Sequence, residues 1–126
     1  MGINRLIDTN IWTHHGVADL TPIAKLVYLY LYINPQSDKC GCVRVSQRLA
    51  CFTLRISDDE WDAAIRELKH IVREFDGLYA IRSWITHNCN NPSWEAGAKA
   101  TLKTHASPIQ DWITGRVPPA PPPARP

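Results

Sequence analysis

Three local signals in this sequence predict an α+β, mainly helical fold. Thr21-Pro22 and Ser57-Asp58-Asp59-Glu60 each open a helix with a hydroxyl N-cap. Proline at the first helical position reinforces the first start, and a capping-box glutamate the second. Asp76-Gly77, between two apolar stretches, supplies the positive φ angles of a tight hairpin turn. The 126 residues are the size of one domain, and five tryptophans among 44% apolar residues can anchor a core.

Taken in order, Ile3 to Ile7 reads as a short strand, followed by a brief apolar piece at Ile11-Trp12. From Ile23 to Ile33 leucine and isoleucine alternate with tyrosine as in a strand. The cap, the length and the Ala24-Lys25-Leu26 opening favour a buried helix, ended by Asn34-Pro35. Gly41 to Val45 reads as a very short strand. Ser46 caps a helix through about Phe52 that buries Leu49 and Ala50, and Ser57 caps a third helix whose Trp61, Ile65 and Leu68 form one apolar face. Ile71 to Phe75, the Asp76-Gly77 turn and Leu78 to Thr86 make a hairpin. A further helix starts near Pro92, and Ser107-Pro108 caps a last short one closed by Gly115. Six prolines between Val117 and Pro126 give an extended tail.

Helix, short strand, helix, helix, hairpin is the order of a winged helix-turn-helix domain. The expected division is a winged-helix domain over 1–89, a C-terminal helical extension of the same domain over 90–115, and a proline-rich tail over 116–126. A resemblance accompanies that order. Ile7-Asp8-Thr9-Asn10-Ile11-Trp12, Leu20-Thr21-Pro22-Ile23-Ala24-Lys25-Leu26, Gly41-Cys42-Val43 and Ser57-Asp58-Asp59-Glu60 begin the matching series. Ala64-Ile65-Arg66-Glu67-Leu68, Trp84-Ile85, Asn90-Asn91-Pro92 and Ser107-Pro108 complete it. In that succession, over most of residues 3–114, the chain resembles the N-terminal domain of phage replication-initiation (replisome organiser-like) proteins. The resemblance implies a winged-helix fold, a non-enzymatic role, and nucleic-acid or replisome binding in the cytoplasm of a phage-infected bacterium.

Charge is more informative by block than as the net +2. Residues 57–76 carry seven acids against three bases, while the blocks on either side are each +3. Asp58, Asp59, Glu60 and Asp62 crowd the start of the third helix, the end that reads base edges in a major-groove winged helix. Facing a phosphate charge every ~1.7 Å of duplex, these carboxylates argue against base reading by that end. They suit the positive end of the helix dipole instead. DNA contact is therefore expected mainly at backbone phosphates, with weak sequence preference, through Arg44, Gln47, Arg48, Arg55, Arg66, Lys69, Arg73 and Arg82. Lys99 and Lys103 could extend that track. The alternative is a small phage protein whose acidic surface, Asp58, Asp59, Glu60 and Asp62, binds and inhibits a bacterial nucleic-acid-binding complex of replication or defence. Homodimerisation is a third possibility.

No Gly-rich phosphate loop, His-Glu-x-x-His pair or Gly-x-Ser-x-Gly elbow is present, so an enzyme is not expected. Cys40, Cys42, Cys51 and Cys89 read as free or partly buried thiols, and neither metal nor other cofactor is expected. The competing reading joins Cys40-x-Cys42 to His87-x-Cys89 as four zinc ligands, at a spacing tighter than the roughly two to four intervening residues usual in structural sites. His70 and His105 give no specific signal. Trp94 and Trp112 are the tryptophans best placed to face a partner. No apolar run approaches the ~18 residues that suggest a membrane span.

Overall fold

The structure, a computed structural model, describes residues 17–82, 84 and 92–115. Its elements are α1 (Pro22–Tyr32), β1 (Cys42–Arg44), α2 (Gln47–Leu54), α3 (Asp58–Glu67), β2 (Val72–Phe75), β3 (Leu78–Ile81), α4 (Pro92–Leu102) and α5 (Ser107–Thr114). The fold is α+β, with five described helices around a three-stranded antiparallel sheet in the order β1-β3-β2. None of the described helices is long and apolar enough to cross a membrane. The early strand, Ile11-Trp12 and the proline tail lie outside the described residues.

Local chemistry sets most boundaries. Thr21 Oγ1 accepts the Ala24 amide at 3.3 Å, and Pro22 occupies the start of α1, where no amide donor is required. Thr21 is itself held from α3. Its amide and hydroxyl donate to the Glu67 carboxylate at 3.0 and 2.6 Å, so one helix start is fixed by another helix's end. Those bonds hold the Glu67 carboxyl below its ordinary range. Ser46 caps α2 through the Leu49 amide, and Ser57 and Glu60 exchange both bonds of a capping box on α3. Asp76 and Gly77 both take positive φ, 54° and 86°, as a two-residue hairpin loop of type I′ requires. Phe75 and Leu78 pair across that loop.

The sheet is buried on both faces, and strand alternation divides the core in two. Val43, Val72, Tyr79 and Ile81 point to the side covered by α1, α2 and α3, joining Val27, Leu31, Trp61 and Leu68. There the Trp61 indole N–H donates to the Tyr79 hydroxyl at 3.2 Å, and the rings meet edge to face at 5.7 Å. Cys42 and Ala80 point the other way, with Leu78 and Phe75 alongside, into a second cluster with Leu102, Ile109, Trp112 and Ile113 of α4 and α5. The C-terminal helices therefore cover the sheet's second face.

Several expectations are corrected. Leu49 is 60% exposed rather than buried. The inward face of α2 is Ala50, Cys51 and half-buried Leu54, which leaves Arg48, Leu49, Phe52 and Thr53 on the solvent side. The helix also runs past Phe52, to Leu54. β3 ends at Ile81, well short of Thr86, and Trp84 is buried in the main core. Ala106, not Ser107, occupies the N-cap of α5, with no side-chain bond there. Trp112 is 3% exposed because its ring closes the second cluster, so it faces no partner; Trp94 is 56% exposed.

Candidate nucleic-acid interface

The unit formed by α2 and α3 is two helices joined by the three residues Arg55-Ile56-Ser57. A turn this short needs a left-handed residue to reverse the chain, and Arg55 takes it, with φ 60°. The helices pack together through Ala50 and Cys51 on one and Trp61 and Ala64 on the other, all in the main core. Cys51 lies against α3, its sulfur 3.7 Å from both the Ser57 carbonyl and the Asp58 carboxylate.

The eight residues expected at phosphates divide into groups. Arg48, Arg55 and Arg66 are exposed on α2, the turn and the end of α3, and Lys69 is exposed just beyond it. Arg44 is exposed on β1 and donates from Nη1 to the Asp76 carbonyl at 3.1 Å, which holds a guanidinium against the hairpin tip. Gln47 is engaged within the unit: its amide nitrogen donates to Asp58 Oδ1 at 3.0 Å and Asp62 Oδ1 at 3.4 Å. Arg73 and Arg82 sit on the sheet face covered by the C-terminal helices. Their guanidinium carbons lie 4.7 and 3.7 Å from the Trp112 ring centroid, and Arg82 Nε donates to the Trp112 carbonyl at 3.2 Å. Burial lowers the Arg82 pKa, and the neighbouring Arg73 charge adds to the shift. These two arginines are placed to hold α5 on the sheet.

The acidic start of α3 is similarly occupied by local work. Glu60 completes the capping box, and Asp58 and Asp62 receive the Gln47 amide. The exposed stripe of α3 runs from Asp59 and Asp62 to Arg66, with Lys69 just beyond. Negative charge at the N-terminal end and positive charge at the C-terminal end both complement the helix macrodipole. A phosphodiester approaching this face meets attraction only toward Arg66 and Lys69.

The other chemically loaded place in the described residues lies by the second cluster, where Asp38, Cys40, Cys42 and His105 converge. His87 and Cys89, the expected second half of a zinc site, lie outside the described residues. Asp38 and His105 went unselected in the sequence. The alternation Asp38-x-Cys40-x-Cys42 was available there, but His105 arrives from 67 residues beyond Asp38 and leaves no local signature. The Asp38 carboxyl is raised by burial but lowered more by hydrogen bonds from the Cys42 amide, His105 and Cys40, and ends below its ordinary range.

No protein-family model matches this chain, and no curated protein or solved structure is detectably similar to it.

Proposed function

We propose that the chain is a non-enzymatic winged-helix protein that binds DNA mainly through backbone phosphates, in phage replication or regulation within the bacterial host cytoplasm. The observation carrying this reading is the helix–turn–helix of α2 and α3, followed by a type I′ hairpin, with Arg48, Arg55, Arg66 and Lys69 exposed on it. The resemblance to phage replication-initiation domains expected from the sequence is part of this proposal. Arg44, braced on the hairpin tip, is the cation of the wing. Arg73, Arg82 and Gln47, being engaged elsewhere, have supporting rather than contacting roles.

The test is substitution followed by DNA titration. Arg48→Ala, Arg55→Ala, Arg66→Ala and Lys69→Ala each weaken binding by a similar factor on unrelated sequences, because phosphate contacts carry no base information. Each also reduces the salt slope by about 1. Weakening confined to one sequence contradicts backbone binding by that residue.

A second reading keeps the fold and changes the partner. Leu49 and Phe52, 60% and 76% exposed, share a face of α2 in the same unit as the acidic start of α3. An apolar pair beside carboxylates suits a basic protein surface better than a phosphate chain. In this reading Asp58, Asp59, Glu60 and Asp62 dock on a bacterial replication or defence complex. Pull-down from bacterial lysate separates the readings: a partner lost on changing Asp58, Asp59 and Asp62 to Asn supports docking, and an unchanged partner list removes it.

A further inference from the structure

Asp38, Cys40, Cys42 and His105 offer one ligand atom each, and all four atoms lie within 4.8 Å of one another. Two come from the loop between α1 and β1, one from the first residue of β1, and the last from the turn between α4 and α5. Both cysteines are buried, while Asp38 and His105 are half-buried. We propose that these four side chains form a structural zinc site that fastens the C-terminal helices to the sheet.

The sulfur–sulfur distance fits the ion. With zinc–sulfur bonds of about 2.3 Å, a tetrahedral site places two sulfurs about 3.8 Å apart, and Cys40 Sγ and Cys42 Sγ are 3.8 Å apart. With nitrogen and oxygen bonds near 2.0 Å, the remaining edges come to about 3.3–3.5 Å. Asp38 Oδ2 is the oxygen turned to the site, 2.8 Å from His105 Nε2, while Oδ1 accepts the loop amides and lies 3.1 Å from Cys40 Sγ. A cation would take the place of the proton shared by His105 and Asp38 and part them slightly. Two thiolates, an imidazole and a carboxylate select zinc over magnesium or calcium, which prefer all-oxygen shells. Four protein ligands close the coordination, as in a structural rather than a catalytic site.

The backbone is built to hold this geometry. Asp38 Oδ1 accepts the amides of Cys40 and Cys42, both at 3.0 Å, which curls the loop around the carboxylate and turns both sulfurs to one side. Gly41 between them has φ +92°, and a Cβ there would lie 2.3 Å from the Trp84 Cβ. Only glycine combines that φ with so close an approach to the Trp84 side chain. The ligands also lie where a clamp has mechanical use. Cys40 and Cys42 belong to the second cluster, which is smaller than the main core, and His105 precedes the helix bearing Trp112. A metal bridging Asp38 and His105 closes a long chain loop and so stabilises the packing of α4 and α5.

The test uses the full chain expressed in zinc-supplemented medium. Elemental analysis is expected to give one zinc per chain. Co²⁺ replacement is expected to give the visible bands of a tetrahedral site with thiolate charge transfer. Cys40→Ser, Cys42→Ser and His105→Ala are each expected to weaken Co²⁺ binding by more than about a hundredfold, beyond what outer-shell changes cost. Cys51→Ser and Cys89→Ser are expected to keep the native spectrum. Because ligand variants can unfold, the native chain is also titrated with a chelator, which is expected to lower the melting temperature. A metal-free chain that takes up no Co²⁺, or a chain holding a Cys40–Cys42 disulfide in place of metal, overturns the proposal. So does loss of the spectrum in Cys89→Ser with retention in His105→Ala, which would assign the site to Cys40-x-Cys42 and His87-x-Cys89 instead.

Discussion

Glu67 shows how a single side chain here serves two elements. It ends α3, yet its carboxylate receives the amide and hydroxyl of the residue that caps α1. Its depressed pKa in the folded chain gives a defined pH signature. The stabilisation is complete above the ordinary glutamate value of 4.5 and is lost as pH falls through the folded value. Glu67→Gln should therefore be less stable than the native chain near neutral pH, with the gap closing in acid. Urea unfolding at about pH 7 and about pH 3 measures this, and a gap of constant size would contradict it. The group is exposed, so the gap is small, in the range of exposed charged hydrogen bonds.

At the scale of elements, α2 carries the clearest separation between stability and function. Ala50 and Cys51 hold it to α3, whereas Leu49 and Phe52 are left to solvent. Leu49→Gln and Phe52→Ser are expected to shift unfolding free energy by no more than about 0.5 kcal/mol, the usual range for exposed positions. A loss of about 2 kcal/mol or more in chemical denaturation would mean that these side chains are core after all. The same helix shows what was legible beforehand. Its start was readable because Ser46 bonds an amide three residues on, and the Ser57–Glu60 box and the Asp76-Gly77 turn were readable for the same reason. Interactions spanning four residues or fewer are written in local sequence. Which side of α2 meets α3 is not, and the apolar character of Leu49 suggested burial where the neighbouring Ala50 and Cys51 make the contact. The candidate interface was legible in the same partial way. Arg48, Arg55, Arg66 and Lys69 lie on the surface as their chemistry suggests. Arg73 and Arg82 were drawn to an aromatic ring that sequence separation concealed.

For the whole molecule, the sheet is the organising layer: three helices cover one face and two cover the other. Trp112 is the keystone of the second face. Its indole N–H donates to the Ala80 carbonyl at 3.0 Å while Arg73 and Arg82 lie over its ring. Trp112→Ala is expected to cost about 3–5 kcal/mol, from lost burial and the cavity left behind. Hydrogen exchange should show the loss concentrated in α5 and over Ala80–Arg82, at the end of the central strand. Uniform loss of protection across α1 and α3 would instead mean that the two clusters fold as a single unit. That the C-terminal helices close the sheet was not written in any local motif, because the hydrogen bonds that fasten Trp112 to it cross 30 and 32 residues.

The decisive measurement is fluorescence anisotropy of the full chain with labelled single- and double-stranded DNA, at about 50 and about 200 mM salt. Four to five phosphate contacts from Arg44, Arg48, Arg55, Arg66 and Lys69 predict an affinity loss of roughly 10²–10³ across that range, similar for unrelated sequences. Absence of binding at the lower salt, or binding insensitive to salt, would contradict DNA contact through these residues and leave a fold whose partner is a protein.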